Sequence, residues 1–306
     1  MKVGIVVAFA SCFALTVSKS EPNGCEDDLI EKIAEWTRTL PVLVKQDERR
    51  LKNFAEFEPI EDVSKLRNEY YRMVSETQQT ACNVIKRIGG RWIKECGFLD
   101  GEKIVCMDNL HEAVKKGQCL IYSFGLAEDW DFEAKMAKIG CVVHAYDPNV
   151  DMPKKYQKIE NLHFHRIGLS NTVGKLKNGA PDGSVRKMDV LTLEEAIKRN
   201  NDEGKEITYL KMDVEGAEFY ALPQMVTSGV FEHIRQLGIE MHTGSRNLPK
   251  PNIIKKHLNK TLKVFKELQE TYGFRLIAYN ANGCMGKKYC LTRSYHNYHD
   301  LVFYKP

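Results

Sequence analysis

The chain has 306 residues, of which 43% are hydrophobic and 28% are charged, a composition that is ordinary for a soluble globular protein. This length allows one sizeable α/β domain together with an accessory segment. The formal net charge is only +4, and no basic stretch is interleaved with aromatic residues, so the sequence gives no support to nucleic-acid binding.

The first twenty residues are typical of a secretory signal peptide. Lys2 supplies a positive start, residues 3–17 are almost wholly apolar, and the small residues Ser18 and Ser20 precede a cleavage point before Glu21. The apolar run is short for a membrane span, which favours cleavage, and an uncleaved anchor is the alternative. We therefore expect a secreted protein, or one in the lumen of the secretory pathway, without a transmembrane segment after cleavage.

The cysteines agree with that compartment. Eight of the nine lie outside the predicted signal peptide, and an even set suits an oxidising environment. Cys96 with Cys106, and Cys284 with Cys290, are close enough in sequence to close small loops, and these are the pairs that we expect first. No Cys/His spacing resembles a zinc site.

Residues 21–88 are predicted to form a helical segment of two or three amphipathic helices. Within residues 63–88, Leu66, Tyr70, Met73 and Val74 share one helical face. The pattern ends at two glycines, residues 89 and 90. We expect these helices to pack on the main domain or on a partner.

The remainder, residues 89–306, alternates strands and helices. Residues 91–107 are predicted to form a hairpin around an Asp-Gly turn. Strands are then predicted at 119–125, 141–146, 162–167, 186–190, 207–212, 234–241, 274–279 and 300–304, with helices at 132–139, 193–199, 217–222 and 252–272. This regular alternation indicates an α/β fold with a doubly wound, Rossmann-like, mostly parallel sheet.

Residues 207–222, ITYLKMDVEGAEFYAL, combine a buried strand with a cluster of acids. Asp213, Glu215 and Glu218 follow the strand, and a helix is predicted to run from there to Pro223. Ligands of open α/β sheets bind just past the carboxyl ends of the strands. A ligand-binding role is therefore expected for this cluster, with capping of the helix by Glu215 and Glu218 as the alternative.

The run LKMDVEGAE resembles the fourth-strand motif of the FkbM-type methyltransferases, which are S-adenosylmethionine-dependent enzymes with a doubly wound sheet. The upstream runs CLIYSFGLAEDWDFE and GCVVHAYDP extend the resemblance, which covers roughly residues 89–306. It implies a seven-stranded methyltransferase sheet that closes with a C-terminal antiparallel hairpin. It also implies S-adenosylmethionine as the cofactor.

The expected cofactor loop follows the predicted strand at residues 119–125. Glycine-rich loops bring backbone N–H groups close to a polar ligand. This loop has Gly125, but Ala127 stands where many methyltransferases have another glycine. On the match to the family's loop, Ser123, Phe124 and Gly125 are assigned to cofactor binding, and a plain turn is the alternative.

Three polar residues are expected to complete the cofactor site. Asp147 ends the second strand, where a carboxylate can accept hydrogen bonds from a ribose diol, and it follows Gly125 by 22 positions, close to the roughly 20 of dinucleotide-binding folds. Ser170 and Asn171, after the third strand, are expected on the adenine side. Both are also common turn residues.

The catalytic candidates are Asp213, Glu215 and His242. A methyl transfer from a sulfonium is an in-line displacement, so the protein positions the acceptor and takes its proton. Asp213 is the candidate base or positioning group. His242 lies two residues after Glu240 at the end of the fifth strand, where it is a base, a metal ligand or a hydrogen-bonded structural residue. A metal at Asp213, Glu215 and His242 is an alternative that no spacing demands, and none is assigned.

The sequence thus predicts an S-adenosylmethionine-dependent methyltransferase of the secretory pathway. Its acceptor is an oxygen or nitrogen of a glycan, a small molecule or a protein. The alternative is a secreted, non-catalytic binding protein with a degenerate methyltransferase fold, since the cofactor loop is poor in glycine. A nicotinamide-dependent oxidoreductase is disfavoured because the chain lacks the GxGxxG motif of such enzymes.

Overall fold

A computed structural model describes residues 58–93, 98–179, 185–243, 251–282 and 298–306. These residues belong to one compact unit, Arg50–Pro306. The predicted signal peptide and the predicted helices before residue 58 lie outside the described residues. So do Cys96, Cys284 and Cys290.

The described residues form both strands and helices. The strands are β1 (Ile85–Ile88), β2 (Arg91–Ile93), β3 (Phe98–Asp100), β4 (Lys103–Cys106), β5 (Leu120–Phe124), β6 (Val142–Tyr146), β7 (Leu162–His165), β8 (Gly168–Leu169), β9 (Gly174–Gly179), β10 (Val185–Leu191), β11 (Tyr209–Met212), β12 (Gln236–His242), β13 (Arg275–Asn282) and β14 (Tyr298–Tyr304). The helices are α1 (Val63–Ser75), α2 (Leu110–Lys115), α3 (Asp131–Lys138), α4 (Leu193–Arg199), α5 (Glu218–Ser228) and α6 (Pro251–Glu270).

A seven-stranded sheet in the order β13-β14-β12-β11-β5-β6-β7 forms the centre of this unit. Strands β12, β11, β5, β6 and β7 are parallel, whereas β14 is antiparallel to β12 and β13 is antiparallel to β14. The predicted α/β fold with a mostly parallel seven-stranded sheet is confirmed. The carboxyl ends of β5, β6, β11 and β12 therefore meet at one edge, where ligands of such sheets bind.

The sheet buries an apolar core on each face, because successive side chains of a strand point to opposite faces. On β5, Leu120, Tyr122 and Phe124 pack in one cluster with residues of α1, α5 and α6. Ile121 of the same strand packs in a second cluster with residues of α3.

The predicted helical pattern through residue 88 is wrong in its extent. Helix α1 ends at Ser75, and residues 85–88 form β1, which pairs with β4. A disulfide between Cys82 and Cys106 joins the same two segments, so cross-linking and strand pairing override the weak helical periodicity here. Leu66, Tyr70 and Val74 of α1 are buried in the main core, so this helix packs on the main domain.

The predicted hairpin of residues 91–107 is also wrong. Strand β2 pairs with β3, while β4 pairs with β1 instead of β2. The pairing brings Cys106 to Cys82 rather than to Cys96. A second disulfide, between Cys119 and Cys141, links the starts of β5 and β6.

Two further elements differ from the sequence prediction. Helix α5 runs through Pro223 to Ser228, because Met225 and Val226 beyond the proline are buried in the core. Strand β9, which has no alternating apolar pattern, pairs with one edge of β10, and β8 pairs with the other edge in the same small sheet.

Among the helices that the structure describes, none is long and apolar enough to cross a membrane.

Gly125 is the position at which the fold depends most directly on glycine. A Cβ atom placed there would lie 1.6 Å from the backbone oxygen of Asp213, and φ is +84°. We predict that Gly125→Ala destabilises the protein by several kcal/mol in chemical denaturation, because backbone cannot yield as a flexible side chain can. Gly204→Ala is the matched control, since φ is +78° but nothing lies within 4 Å; it should cost about 1–2 kcal/mol. Equal losses in the two variants would contradict the steric argument.

Candidate active site

The loop that follows β5 lies directly against the end of β11. The N–H of Asp213 donates to the carbonyl of Phe124 at 2.9 Å. The carbonyl of Gly125 accepts a hydrogen bond from the ammonium group of Lys211. The predicted cofactor loop and the predicted catalytic acids are therefore neighbours.

Ser123 and Phe124, which were predicted to bind the cofactor, have their side chains inside the protein. The Ser123 hydroxyl donates to Glu133 Oε1 at 2.6 Å, and the Phe124 ring stacks on Tyr146 with ring centres 4.6 Å apart. Glu133 Oε1 also lies 3.4 Å from Lys211 Nζ. The side chains of Ser123 and Phe124 therefore support the loop from inside the protein and are not directed toward a cofactor.

Asp147 lies at the end of β6, as predicted, and is buried. Its Oδ2 accepts from the N–H groups of Leu126 at 2.9 Å and Ala127 at 3.1 Å, and its Oδ1 accepts from Asn149 at 2.8 Å. An ionised carboxylate has about four acceptor positions, so about one remains for a ligand. Asp147 holds the cofactor loop onto β6, and its contact with a ribose diol stays a prediction.

Ala127 has a left-handed backbone, with φ of 47°. Such a conformation disfavours residues with a Cβ, so glycine at this position would be unstrained. The N–H of Gly125 donates to Tyr146 at 2.9 Å, and those of Leu126 and Ala127 are held by Asp147. All three N–H groups therefore have partners within the chain, whereas backbone N–H groups of a cofactor loop were expected to approach the ligand.

Ser170 and Asn171 follow β8, which lies in the small sheet with β9 and β10 and not in the central sheet. The N–H of Ser170 donates to Leu191 at 2.8 Å, and its hydroxyl lies 3.4 Å from Asn171 Oδ1. Ser170 is buried and Asn171 is exposed. Their role on the adenine side stays a prediction.

Asp213 lies one residue past β11 and forms an ion pair with a lysine that the sequence analysis missed. Lys103 Nζ lies 3.7 Å from Asp213 Oδ2 and 3.5 Å from Asp300 Oδ1. Lys103 belongs to β4, which packs against β12 and β14. Asp300 lies opposite Glu240 in the β12–β14 ladder, so three acids surround one buried ammonium group.

His242 is 1% exposed and is held by Glu218. Glu218 Oε1 accepts from the backbone N–H of His242 at 2.8 Å and lies 3.1 Å from its Nδ1, while Glu218 Oε2 accepts from the N–H of Gly216 at 2.7 Å. The other ring nitrogen, Nε2, lies 3.5 Å from Glu215 Oε2 and 3.9 Å from Asp213 Oδ1. The three predicted catalytic residues therefore meet at one point.

Glu215 occupies the mouth of this group. Its side chain is 77% exposed. Its backbone is left-handed, with φ of 52°. A non-glycine residue in this conformation stores strain of about 1–3 kcal/mol, which is found most often at functional sites.

Opposing charges set the ionisation of the acids. Burial would raise the pKa of Asp213, but Lys103, followed by Lys211 and His242, lowers it. Burial and the neighbouring charges of Asp213 and Asp300 raise the pKa of Glu240 well above its ordinary value. The pKa values of the two acids are thus shifted in opposite directions, and Asp213 is the stronger acid of the pair.

Burial alone would lower the pKa of His242, but the hydrogen bond and charge of Glu218 raise it to about 9. The ring is therefore an imidazolium at neutral pH. It must release its proton before it can act as a base. The ring and Asp213 are suited to orienting a polar acceptor group between them.

Sequence reasoning missed Lys103 and Asp300, and it placed Glu218 in the acid cluster without anticipating its contact with His242. Lys103 begins the strand KIVC, and if that strand is buried its ammonium group needs an acidic partner. The identity of that partner, more than one hundred positions away, is set by the fold alone.

The family to which this chain belongs follows from comparison with known proteins. A family model described as a methyltransferase domain matches residues 18–295. The chain belongs to this methyltransferase-domain family.

Two curated relatives are both named "Probable methyltransferase-like protein 24". The human protein is 33% identical over 144 residues, which cover 45% of this chain and 37% of the relative; the rat protein is 32% identical over 143 residues, which cover 45% and 38%. The chain thus spans well under half the length of these relatives. Among solved structures, "Putative hemolysin from Streptococcus thermophilus" matches with a TM-score of 0.36 and 13% identity, over 68% of this chain and 70% of that chain.

The pair of His242 and Glu218 predicts a decline of stability at alkaline pH. The folded pKa of about 9 lies above the ordinary value of 6.5. The stability that the charged His242 ring contributes is therefore complete below about pH 6.5 and is lost as the pH rises through 9. We expect the free energy of unfolding to fall by up to a few kcal/mol over this range, at about 1.4 kcal/mol per unit of pKa shift.

The control is Glu218→Gln, which keeps an oxygen for the N–H of His242 but removes the charge. Its stability should change less between pH 6.5 and 9 than that of the wild-type protein, as measured by urea denaturation at each pH. Parallel pH profiles for the two proteins would exclude the pairing as the cause.

Proposed function

We propose that this protein is an FkbM-type methyltransferase that transfers a methyl group from S-adenosylmethionine to an oxygen or nitrogen acceptor. The observation that carries the proposal is the contact between the loop after β5 and Asp213. It brings the predicted cofactor loop beside the cluster of Asp213, Glu215 and His242. The doubly wound arrangement with a closing antiparallel pair belongs to the same proposal, which is supported by a buried cluster on each face of the sheet.

The residues at the loop fit the cofactor in two respects. Asp129 Oδ2 is buried and accepts no hydrogen bond within the part of the chain that the structure describes, so it can accept one from a ligand hydroxyl. Asp147 retains about one acceptor position for the same purpose. In this proposal Gly125 allows close approach to the loop, while Ser170 and Asn171 flank the base.

Bound S-adenosylmethionine would supply an electrophilic methyl carbon, which the acceptor's lone pair attacks while the carbon–sulfur bond breaks and its electrons stay on sulfur. Asp213, ionised at neutral pH, accepts a hydrogen bond from the acceptor and fixes its direction. Glu215, at the exposed mouth of the site, takes the proton that the acceptor loses. His242 supports this arrangement through its buried contact with Glu218.

The proposal includes a location in the secretory pathway. Two disulfides in the described residues support an oxidising environment. We propose that residues 1–20 are a signal peptide, that residues 21–88 form the N-terminal segment, and that residues 89–306 form the methyltransferase-like domain. The acceptor would then be a glycan, a small molecule or a protein of the secretory pathway.

A second candidate function has a specific observation in its favour. The N–H groups of the cofactor loop are hydrogen-bonded within the chain, and Ala127 adopts a conformation that glycine favours. A secreted binding protein that keeps the fold without catalysis would show both features. Affinity for the cofactor distinguishes the two functions.

The first test is calorimetric titration of the folded protein with S-adenosylmethionine and S-adenosylhomocysteine. Micromolar binding of both supports the enzyme. If a folded sample binds neither, the proposed function is wrong and the binding-protein alternative stands.

A second test separates two roles of Asp147. We predict that Asp147→Asn weakens S-adenosylhomocysteine binding by about tenfold, which corresponds to about 1.4 kcal/mol. If Asp147 contacts the ribose, the loss should shrink for the 2′-deoxy analogue, because the analogue lacks a hydroxyl that the carboxylate binds. An equal loss for both ligands would limit Asp147 to holding the loop.

For catalysis, we predict that Asp213→Asn abolishes methyl transfer once an acceptor is identified, while cofactor affinity changes by less than about threefold. The side chain positions the acceptor and does not form the cofactor loop. Unchanged transfer by this variant would remove Asp213 from the catalytic machinery.

A further inference from the structure

We propose that Asp213, Glu240 and His242 bind one divalent transition-metal ion. One ligand atom from each of these residues lies within 4.8 Å of the other two. Bonds of about 2.0–2.2 Å to a single ion place its ligand atoms roughly 3–4.3 Å apart. The distance of 3.9 Å between His242 Nε2 and Asp213 Oδ1 falls inside that interval.

The scaffold presents these three groups from two neighbouring strands. Glu240 and His242 are two residues apart on β12, so their side chains share one face of the sheet. Asp213 follows β11, which is paired in parallel with β12. A site built at the ends of paired central strands is held rigidly, as metal coordination requires.

An independent observation is the orientation of the imidazole. A carboxylate can only accept, so Glu218 fixes the proton of the neutral ring on Nδ1, at 3.1 Å. A metal ion that displaces the proton of Nε2 would meet a lone pair directed into the cluster, where oxygens of Glu215 and Asp213 lie 3.5 and 3.9 Å from Nε2. Carboxylate-held histidines of this kind are the usual arrangement around bound metal ions.

The charges favour a cation at this point. The carboxylates of Asp213, Glu215, Glu218, Glu240 and Asp300 converge here. Lys103 contacts Asp213 through Oδ2 and also contacts Asp300, which leaves Oδ1 of Asp213 facing His242. The ammonium group therefore lies on the opposite side of Asp213 from the proposed ion.

The ligand set indicates the class of metal. Two carboxylates and one imidazole suit ions such as Mn²⁺, Fe²⁺ or Zn²⁺ better than Ca²⁺ or Mg²⁺, which prefer oxygen alone. Three protein ligands leave positions open toward the exposed Glu215. In a role that depends on the proposed methyl transfer, an open position would hold an acceptor oxygen and ease the loss of its proton.

The experiment is a titration of the chelator-treated full chain with Mn²⁺, followed by electron paramagnetic resonance of the free ion. We expect one ion per chain. Glu240→Gln and Asp213→Asn, which keep side-chain size, should weaken binding by at least about tenfold, and Glu218→Gln, a positioning change, by about 10–100-fold. Glu112→Gln is the matched control, because it removes one carboxylate charge from a distant exposed pair with Lys116 and should leave affinity unchanged.

A second readout does not depend on how the variants fold. Pulsed electron paramagnetic resonance of Mn²⁺ bound to the wild-type protein should show coupling to one imidazole nitrogen. No binding by folded wild-type protein, binding without nitrogen coupling, or equal affinity in Glu240→Gln and the control would overturn the site. Because this titration contains no cofactor, its result is independent of S-adenosylmethionine binding.

Discussion

The buried ammonium group of Lys211 connects the elements on which the candidate site is built. It lies 3.4 Å from Glu133 of α3 and donates to the carbonyl of Gly125, while Ser123 of β5 donates to the same carboxylate. Breaking such a pair by removing one partner leaves a buried charge uncompensated, which typically costs about 3–5 kcal/mol. The network therefore fixes the loop after β5, helix α3 and strand β11 relative to one another.

A second set of charges continues from this network along the edge of the sheet. Asp213 follows the strand of Lys211, and Lys103 joins it to Asp300 on β14. His242, held by Glu218, completes the set. Apolar residues pack on both faces of the sheet, and the charged groups of this set lie near the carboxyl ends of β11 and β12, where they contact one another. Burial and the charge of its acidic neighbours raise the pKa of Glu240, whereas Lys103 lowers the pKa of Asp213.

The sequence predicted the parts of this structure that depend on local pattern. The buried strands β5, β6, β11 and β12 and the helix α6 follow from apolar runs and helical periodicity, and the mostly parallel sheet follows from the alternation of strands with helices. The meeting of Asp213, Glu215 and His242 could be anticipated because all three lie at the carboxyl ends of adjacent parallel strands. Asp147 was placed correctly at the end of β6, but its hydrogen bonds to Leu126 and Ala127 depend on how the loop closes.

The contacts that the sequence could not supply are those between distant segments. The partner of Cys106 is Cys82 because β4 pairs with β1, and nothing in the local pattern distinguishes that pairing from one with β2. Lys103 likewise becomes a site residue only because β4 packs against β12 and β14. Helical periodicity in a charged stretch also led to a predicted helix that continues beyond Ser75, where the observed α1 ends and strand pairing follows.

The proposed cofactor site lies between the loop after β5 and the acids after β11. A crystal structure of the complex with S-adenosylhomocysteine would show directly whether the nucleoside binds there. We expect the adenosine beside Gly125 and Asp147, with the sulfur directed toward Asp213 and His242. A ligand bound elsewhere on the protein, with this edge of the sheet unchanged, would exclude this edge as the cofactor site.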